Sequence, residues 1–375
     1  MERKQLDEAK RIVIKIGTSI LTDNEGNVDI NYIRSIAKQI SKLRKQGKEI
    51  IIVSSGAIGC GRRELGIKGK IRDIKLRQAT AAVGQNLLMH DYHVAFKKFN
   101  QKVAQILITY ESFFDRKTYL NLRSSVDTLL RLNTMPIINE NDPLATDEIG
   151  TTFGDNDKLS ALVASKVEAD LLIMLTDIDG LYTKDPRSHK DAEIVRTVKK
   201  IDKKVKSYGG QTTSLLSRGG MTAKIDAAEI AMDAGCSLVI VNGKKKDILG
   251  KVINGEVVGT IFLPKEKIAS KKRWIKQAPV KGSIIVDEGA KKAMLKGKNL
   301  LPAGILDVKG TFELEDVVSV VCGKKAFAKG IVDYSSEDLK KVKGKKTSQI
   351  KRMVCNLGAD SSCTNVFTRE NIVII

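Results

Sequence analysis

Short apolar runs alternate with longer stretches of helical periodicity over the first 265 residues. The runs at 11–16, 49–54, 102–109, 135–139, 171–176 and 237–242 are mostly apolar at successive positions. Such runs predict strands buried on both faces of a parallel sheet. Helical patterns lie between them at 30–45, 72–99, 119–132, 157–166 and 220–234. Strand and helix alternating at this spacing predict an α/β sandwich with crossover connections.

Segment 263–278 breaks the pattern. It holds Pro264, five lysines, Arg273 and the single tryptophan, Trp274, and reads as a linker. Beyond it come shorter runs at 282–286, 305–308, 317–321, 326–331 and 371–375, separated by Gly-containing turns. That texture predicts a small β-barrel with little helix. The expected division is 1–265, a linker at 266–277, and 278–375.

Composition fits two globular domains. The chain has 375 residues, 42% hydrophobic and 29% charged, enough apolar side chain for a sizeable core and too much for a disordered chain. No run of 18 apolar residues predicts a membrane-spanning helix. Acidic Glu2, Asp7 and Glu8 stand where a signal peptide needs a clean positive region. Five cysteines without a CxxC pair suit reduced thiols, and hence the cytoplasm, better than a disulfide framework. The formal charge of +21 suggests an anionic partner: nucleic acid, membrane surface or a phosphorylated small molecule. Residues 276–375 carry 18 basic against 11 acidic side chains, so the excess is spread over the chain rather than gathered in one patch. The densest basic run, 340–352, has seven Lys and Arg and no acid, and reads as a solvated face.

Six polar or Gly-rich segments end predicted strands or open predicted helices. Lys15-Ile16-Gly17-Thr18-Ser19 joins a lysine to a glycine that lets backbone approach a phosphate. It is not the P-loop pattern. Ser54-Ser55-Gly56-Ala57-Ile58-Gly59 is a small-residue loop ahead of a helix, able to receive an anion. Asn139-Glu140-Asn141-Asp142 closes an apolar run with two acids that could grip an amino group. Gly154-Asp155-Asn156-Asp157 opens a helix with more Asn and Asp than capping needs. The fifth segment is Leu175-Thr176-Asp177-Ile178-Asp179-Gly180-Leu181-Tyr182, a strand running into a polar turn. The sixth is Arg218-Gly219-Gly220-Met221-Thr222-Ala223-Lys224, a Gly pair, hydroxyl and lysine suited to nucleotide phosphates. Each alone also fits a plain turn, a solvated loop or an N-cap. Together they describe a phosphoryl-transfer site without a P-loop. His90 and His93 lack a third metal ligand and read as exposed helix positions.

These residues resemble a known family. KIGTS, SSGAIGCGR, INENDPLAT, FGDNDKLSALVA, LTDIDGLYTKDPR and RGGMTAK stand in the order found in glutamate 5-kinases of the amino-acid kinase superfamily. KKRWI and VDEGA resemble the start of that family's C-terminal PUA domain. The resemblance implies an amino-acid-kinase-type αβα sandwich with a mostly parallel sheet, followed by a small β-barrel PUA-like domain. It implies ATP-dependent phosphorylation of the γ-carboxylate of L-glutamate, with Mg²⁺, as the first step of proline synthesis. By the same resemblance Lys15 and Lys224 are the phosphate-binding lysines and Asp157 orients both. Ser55, Asp142 and Asn156 hold glutamate. Lys15, Gly17, Thr176, Asp177, Arg218, Gly219, Gly220, Met221, Thr222, Ala223 and Lys224 bind ATP. No protein side chain is assigned to the metal. The implied partners are a second copy of the chain, proline as feedback inhibitor, and a hand-off to glutamyl phosphate reductase. Other carboxylate kinases of the superfamily are the alternative. RNA binding by the PUA-like part is a secondary reading, weakened by an aromatic content of 5%. Arg218 before the Gly pair departs from the small or hydroxyl residue expected there.

Overall fold

The computed structural model describes residues 3–22, 28–69, 71–145, 156–210, 220–264, 269–323, 325–345, 349 and 365–375. The chain divides into two compact units, Met1–Lys267 and Ile268–Ile375. Among the described residues no helix is long and apolar enough to cross a membrane.

The first unit is built on eight strands: β1 (Arg11–Ile16), β2 (Glu49–Val53), β3 (Lys102–Ile108), β4 (Thr134–Glu140), β5 (Leu171–Thr176), β6 (Thr197–Val198), β7 (Ser237–Asn242) and β8 (Thr260–Phe262). They lie in the order β3-β4-β2-β1-β5-β7-β8-β6. Pairing is parallel from β3 through β7, and β8 turns antiparallel against β7. The runs at 11–16, 171–176 and 237–242 are strands over those same residues. Alternate strand residues serve opposite faces, as a pleat requires. Ile12, Ile14 and Ile16 join one core with Ile50, Ile52 and Ile137, whereas Val13 joins the other with Ile51, Val53 and Ile138.

The helices are α1 (Thr18–Leu21), α2 (Ile30–Lys45), α3 (Ala57–Glu64), α4 (Ile74–Lys97), α5 (Arg116–Arg131), α6 (Asp157–Lys166), α7 (Lys203–Ser207), α8 (Met221–Asp233) and α9 (Ile248–Ile253). Residues of α2, α4 and α9 fill the first core; those of α5, α6 and α8 fill the second. The result is an αβα sandwich. Asp29, Asp73 and Asp115 cap α2, α4 and α5 with their carboxylates.

Helix α3 starts at Ala57, inside the segment read as a small-residue loop ahead of a helix. Gly56 at its start has φ of 97°, a left-handed value that costs glycine nothing. A methyl at Gly84 of α4 would stand 1.9 Å from the Ala57 carbonyl oxygen, and one at Gly61 would stand 1.9 Å from that of Thr80. Two glycines therefore let α3 lie backbone to backbone on α4. That packing outweighs the poor helix propensity of residues 57–64.

The second unit has its own sheet. Its strands are β9 (Gly282–Val286), β10 (Ile305–Gly310), β11 (Val317–Cys322), β12 (Lys325–Ile331) and β13 (Ile372–Ile374), in the order β10-β9-β11-β12-β13. Its helices are α10 (Ser270–Gln277), α11 (Glu288–Leu295) and α12 (Ser336–Val342). The unit is thus richer in helix than the short runs suggested. Ile284, Val286, Val318, Val320, Phe312 and Phe367 form a separate core.

Residues 266–277, expected as a linker, differ most from the structure, because Ser270–Gln277 is helical. Arg273, Ile275 and Ala278 are buried beneath the charged surface of α10, and Trp274 is half-buried. Lys329 Nζ donates to the carbonyls of Lys276 and Ala278 at 3.1 and 2.9 Å, a cation at a helix C-terminus. In the basic run, Lys341 pairs with Asp338 and Lys343 with Asp307, both at 2.9 Å. Of the rest of that run, residues 346–348 and 350–352 lie outside the described residues.

Gly84→Ala should lower stability by about 2–3 kcal/mol, because the new methyl meets rigid backbone rather than a movable side chain. The exposed Lys75→Ala, in the same helix, should change it by less than about 0.5 kcal/mol. Urea unfolding of both variants checks the contrast.

Candidate active site

Three buried charges meet where the sheet's carboxyl edge faces two helix starts. Lys15 stands near the end of β1 and points to the face that carries α6 and α8, as its pleat partner Val13 does. Asp157 is the first residue of α6, and Lys224 lies in the first turn of α8. Their exposures are 1%, 0% and 6%. Asp157 Oδ1 is 2.7 Å from Lys15 Nζ, and Oδ2 is 2.9 Å from Lys224 Nζ. One carboxylate thus spans two ammonium groups in a dry place. Burial alone pushes the Asp157 carboxyl up; the charges and hydrogen bonds of Lys15 and Lys224 outweigh it and hold the group below the usual carboxylate range. Lys224 opposes the dipole of α8, whose first turn is positive, and Asp157 compensates it.

Two helix N-termini and two lysines suit this place to an anion. Gly17 follows β1 directly, and its backbone N–H donates to the Leu175 carbonyl at 3.2 Å. A side chain there would crowd that carbonyl at 3.2 Å and reach to 3.4 Å from Lys15 Nζ. Thr176 closes β5, and its hydroxyl donates to Asp177 Oδ1 at 3.1 Å. Burial pushes Asp177 up, but its own backbone, the hydroxyls of Thr176 and Ser19 and the Lys224 charge hold it below the usual range. Gly220 caps α8 by position, and Met221, Thr222 and Ala223 form its first turn beside Lys224. Arg218 and Gly219 lie outside the described residues, as do Gly154 and Asp155.

A second group sits on the β2–β4 side of the triad. Asn156 occupies the N-cap position of α6 yet makes no capping hydrogen bond. Its amide donates instead to the Ser54 carbonyl and, at 2.7 Å, to Asn139 Oδ1. Asn139 Nδ2 donates in turn to Gln85 Oε1 at 2.7 Å. This chain of amides ties the loop after β2, the end of β4, α4 and the start of α6 into one wall. The buried Ser55 hydroxyl has no hydrogen-bond partner among the described residues. A buried hydroxyl left unpaired costs about 1–3 kcal/mol, so a ligand that bonds it recovers that cost. Asp142 opens a short 3-10 turn, is half-buried, and is pushed up to about 6 by burial against the opposing pull of Arg77.

Lys15, Asp157 and Lys224 therefore converge on one point, with Gly17, Thr176 and Asp177 to one side and Ser55 and Asn156 to the other. Gln85 was not visible in the sequence, where it is one polar residue in a long helix. Asn139 ended the predicted strand at 135–139, and β4 runs one residue further to include Glu140. His90 and His93 are exposed on α4, and among the described residues no group of three or more His, Cys, Asp or Glu side chains is placed to hold a metal ion.

Comparison with known proteins bears on the same residues. The amino acid kinase family matches residues 10–242, and the PUA domain matches residues 282–354. The glutamate 5-kinase of Methanosarcina mazei is 52% identical over 383 aligned residues, covering 100% of this chain and 98% of its own. That of Methanococcoides burtonii is 50% identical, covering 93% of each chain. That of Thermoanaerobacter sp. is 43% identical, covering 97% of this chain and 98% of its own. The match runs through both units without a break in coverage, and the chain belongs to the glutamate 5-kinases of the amino acid kinase family, with a C-terminal PUA domain.

Proposed function

We propose that this chain transfers the γ-phosphoryl group of ATP to the γ-carboxylate of L-glutamate, giving L-glutamyl 5-phosphate and ADP in the first step of proline synthesis. The observation that carries the reading is the pair of buried lysines bridged by Asp157. A carboxylate nucleophile is already ionised near neutral pH and needs no general base. A carboxylate oxygen forms a bond to the γ-phosphorus while the bond to the β-bridging oxygen breaks. Both partners are anions, so the barrier is lowered by alignment and positive charge. Lys15 and Lys224 supply that charge. Asp157 keeps both ammonium groups in place before substrate arrives, so little reorganisation accompanies the reaction.

Ser55, Asn156 and Asp142 are the proposed glutamate residues. The free Ser55 hydroxyl and the fixed Asn156 amide suit carboxylate oxygens, and Asp142 suits the α-ammonium group. Gly17, Thr176, Asp177 and the α8 start from Gly220 to Lys224 are the proposed ATP residues. Arg218 and Gly219 complete that segment in the sequence pattern. Mg²⁺ belongs to the substrate as MgATP, neutralising phosphate charge. The three described cysteines, Cys60, Cys236 and Cys322, are buried and form no disulfide among the described residues, which fits the cytoplasm as the proposed location.

The reaction is tested by ATP turnover with a panel of acceptors, trapping the acyl phosphate with hydroxylamine. Glutamate should give the highest kcat/KM; a higher value for acetylglutamate or aspartate would refute the assignment.

Lys15→Ala and Lys224→Ala should each lower kcat by roughly 10²–10³ while changing the glutamate KM far less, because the charges act chiefly on the moving phosphoryl group. Both variants should fold, since Asp157 keeps the remaining lysine as a partner. Steady-state kinetics with both substrates varied separates this outcome from a loss confined to KM.

A further inference from the structure

Helix α4 reaches the site twice from one buried face. Gln85 and Tyr92 stand two helical turns apart on it, and both are buried. Gln85 Oε1 accepts from Asn139 at the end of β4. Tyr92, which shares the first core with Ile50 and Ile52 of β2, places its hydroxyl 2.9 Å from the buried Ser54 hydroxyl just after that strand. Asn156 donates to both the Ser54 carbonyl and Asn139. The two grips of α4 are thus closed into a ring that runs through Tyr92, Ser54, Asn156, Asn139 and Gln85.

The direction of the tyrosine bond follows from its neighbours. The Ser54 hydroxyl also lies 3.2 Å from the Ser55 carbonyl oxygen. A carbonyl only accepts, so Ser54 gives its single proton there and Tyr92 donates to Ser54. Burial pushes the Tyr92 phenol up, which keeps it an O–H donor. This relay turns the Ser55 carbonyl toward Ser54. Peptide C=O and N–H point opposite ways across a trans bond, so the Gly56 N–H turns away from the relay. That N–H donates to no described residue, and the buried Ser55 hydroxyl has no partner among them. Gly56 itself, at φ of 97° and without a Cβ, does little to stiffen the peptide.

We propose that Tyr92 is a positioning residue for the amino-acid substrate: through the Ser54 hydroxyl it holds the Ser55–Gly56 peptide, so that the Ser55 hydroxyl and the Gly56 N–H stay set for one substrate carboxylate. The proposal rests on the reading that Ser55 binds glutamate. Tyr92 is 0% exposed and acts only through Ser54.

Tyr92→Phe keeps the ring in the core and removes the donor alone. Its glutamate KM should rise about five- to tenfold, the scale of one lost hydrogen bond on a buried group, with kcat and the ATP KM within about twofold of the parent. Ser54→Ala should give the same rise. Adding Tyr92→Phe to Ser54→Ala should raise KM by less than about twofold further, because both act on one relay. Tyr32→Phe is the control: its buried hydroxyl packs on the same core without a partner among the described residues, so the glutamate KM should stay within about twofold. Steady-state kinetics with each substrate varied, and circular dichroism to establish the fold, check all four enzymes.

A folded Tyr92→Phe enzyme with the parental glutamate KM would overturn the proposal. An equal rise in both KM values, the mark of a loosened core, overturns it too, as does a double variant in which the two effects multiply. Should Tyr92→Phe not fold, Ser54→Ala decides: a parental glutamate KM in that variant removes the relay. A parent that phosphorylates glutamate while these variants handle it normally loses only this inference; one that does not phosphorylate glutamate loses both readings.

Discussion

The Asp157 carboxylate holds the site together. Two lysines buried side by side would repel each other and give up their protons or their positions. A single carboxylate between them, with Oδ1 on Lys15 and Oδ2 on Lys224, makes the arrangement stable. The fold is arranged to bring these three residues together. Lys15 must end an inner strand, β1, whose neighbours are β2 and β5. Asp157 and Lys224 must open α6 and α8, which pack on one face of the sheet.

That geometry places unlike chemistry on the two sides of the triad. Toward β5 and α8 lie glycine, hydroxyl and helix-start N–H groups, the means of holding phosphate oxygens. Toward β2 and β4 lie Ser55, Asn156, Asn139 and Gln85, a hydrogen-bonded wall of fixed amides. The wall ends in Glu140 and Asp142, both shifted up by burial.

Much of this was legible in the sequence, for physical reasons that differ by element. Inner parallel strands are apolar on both faces, so 11–16, 171–176 and 237–242 stood out as mostly apolar runs. Only the start of α3 was misplaced, because Ala57, Ile58 and Gly59 read as loop until α4 supplies the surface that Gly61 packs on. Strands β6 and β8, at two and three residues, are too short to show a period. Residues 270–277 read as linker because charges outnumber apolar positions, and the buried Arg273 and Ile275 show only in the folded chain. In the site, each motif was visible, and the resemblance implied that Asp157 orients both lysines, but its contact with both was not. Asn156 looked like an N-cap and instead spends its amide on Ser54 and Asn139. Glu140 read as one of two acids closing an apolar run, and β4 carries it into the protein.

The account stands or falls on Asp157, and Asp157→Asn keeps its shape while removing its charge. The variant leaves two buried ammonium groups without their shared anion, so the lysines should separate or lose a proton. Measured at saturating glutamate and MgATP, with circular dichroism to establish the fold, kcat should fall by at least about 10². A folded Asp157→Asn enzyme whose kcat stays within about threefold of the parent would contradict the claim that this carboxylate organises the site.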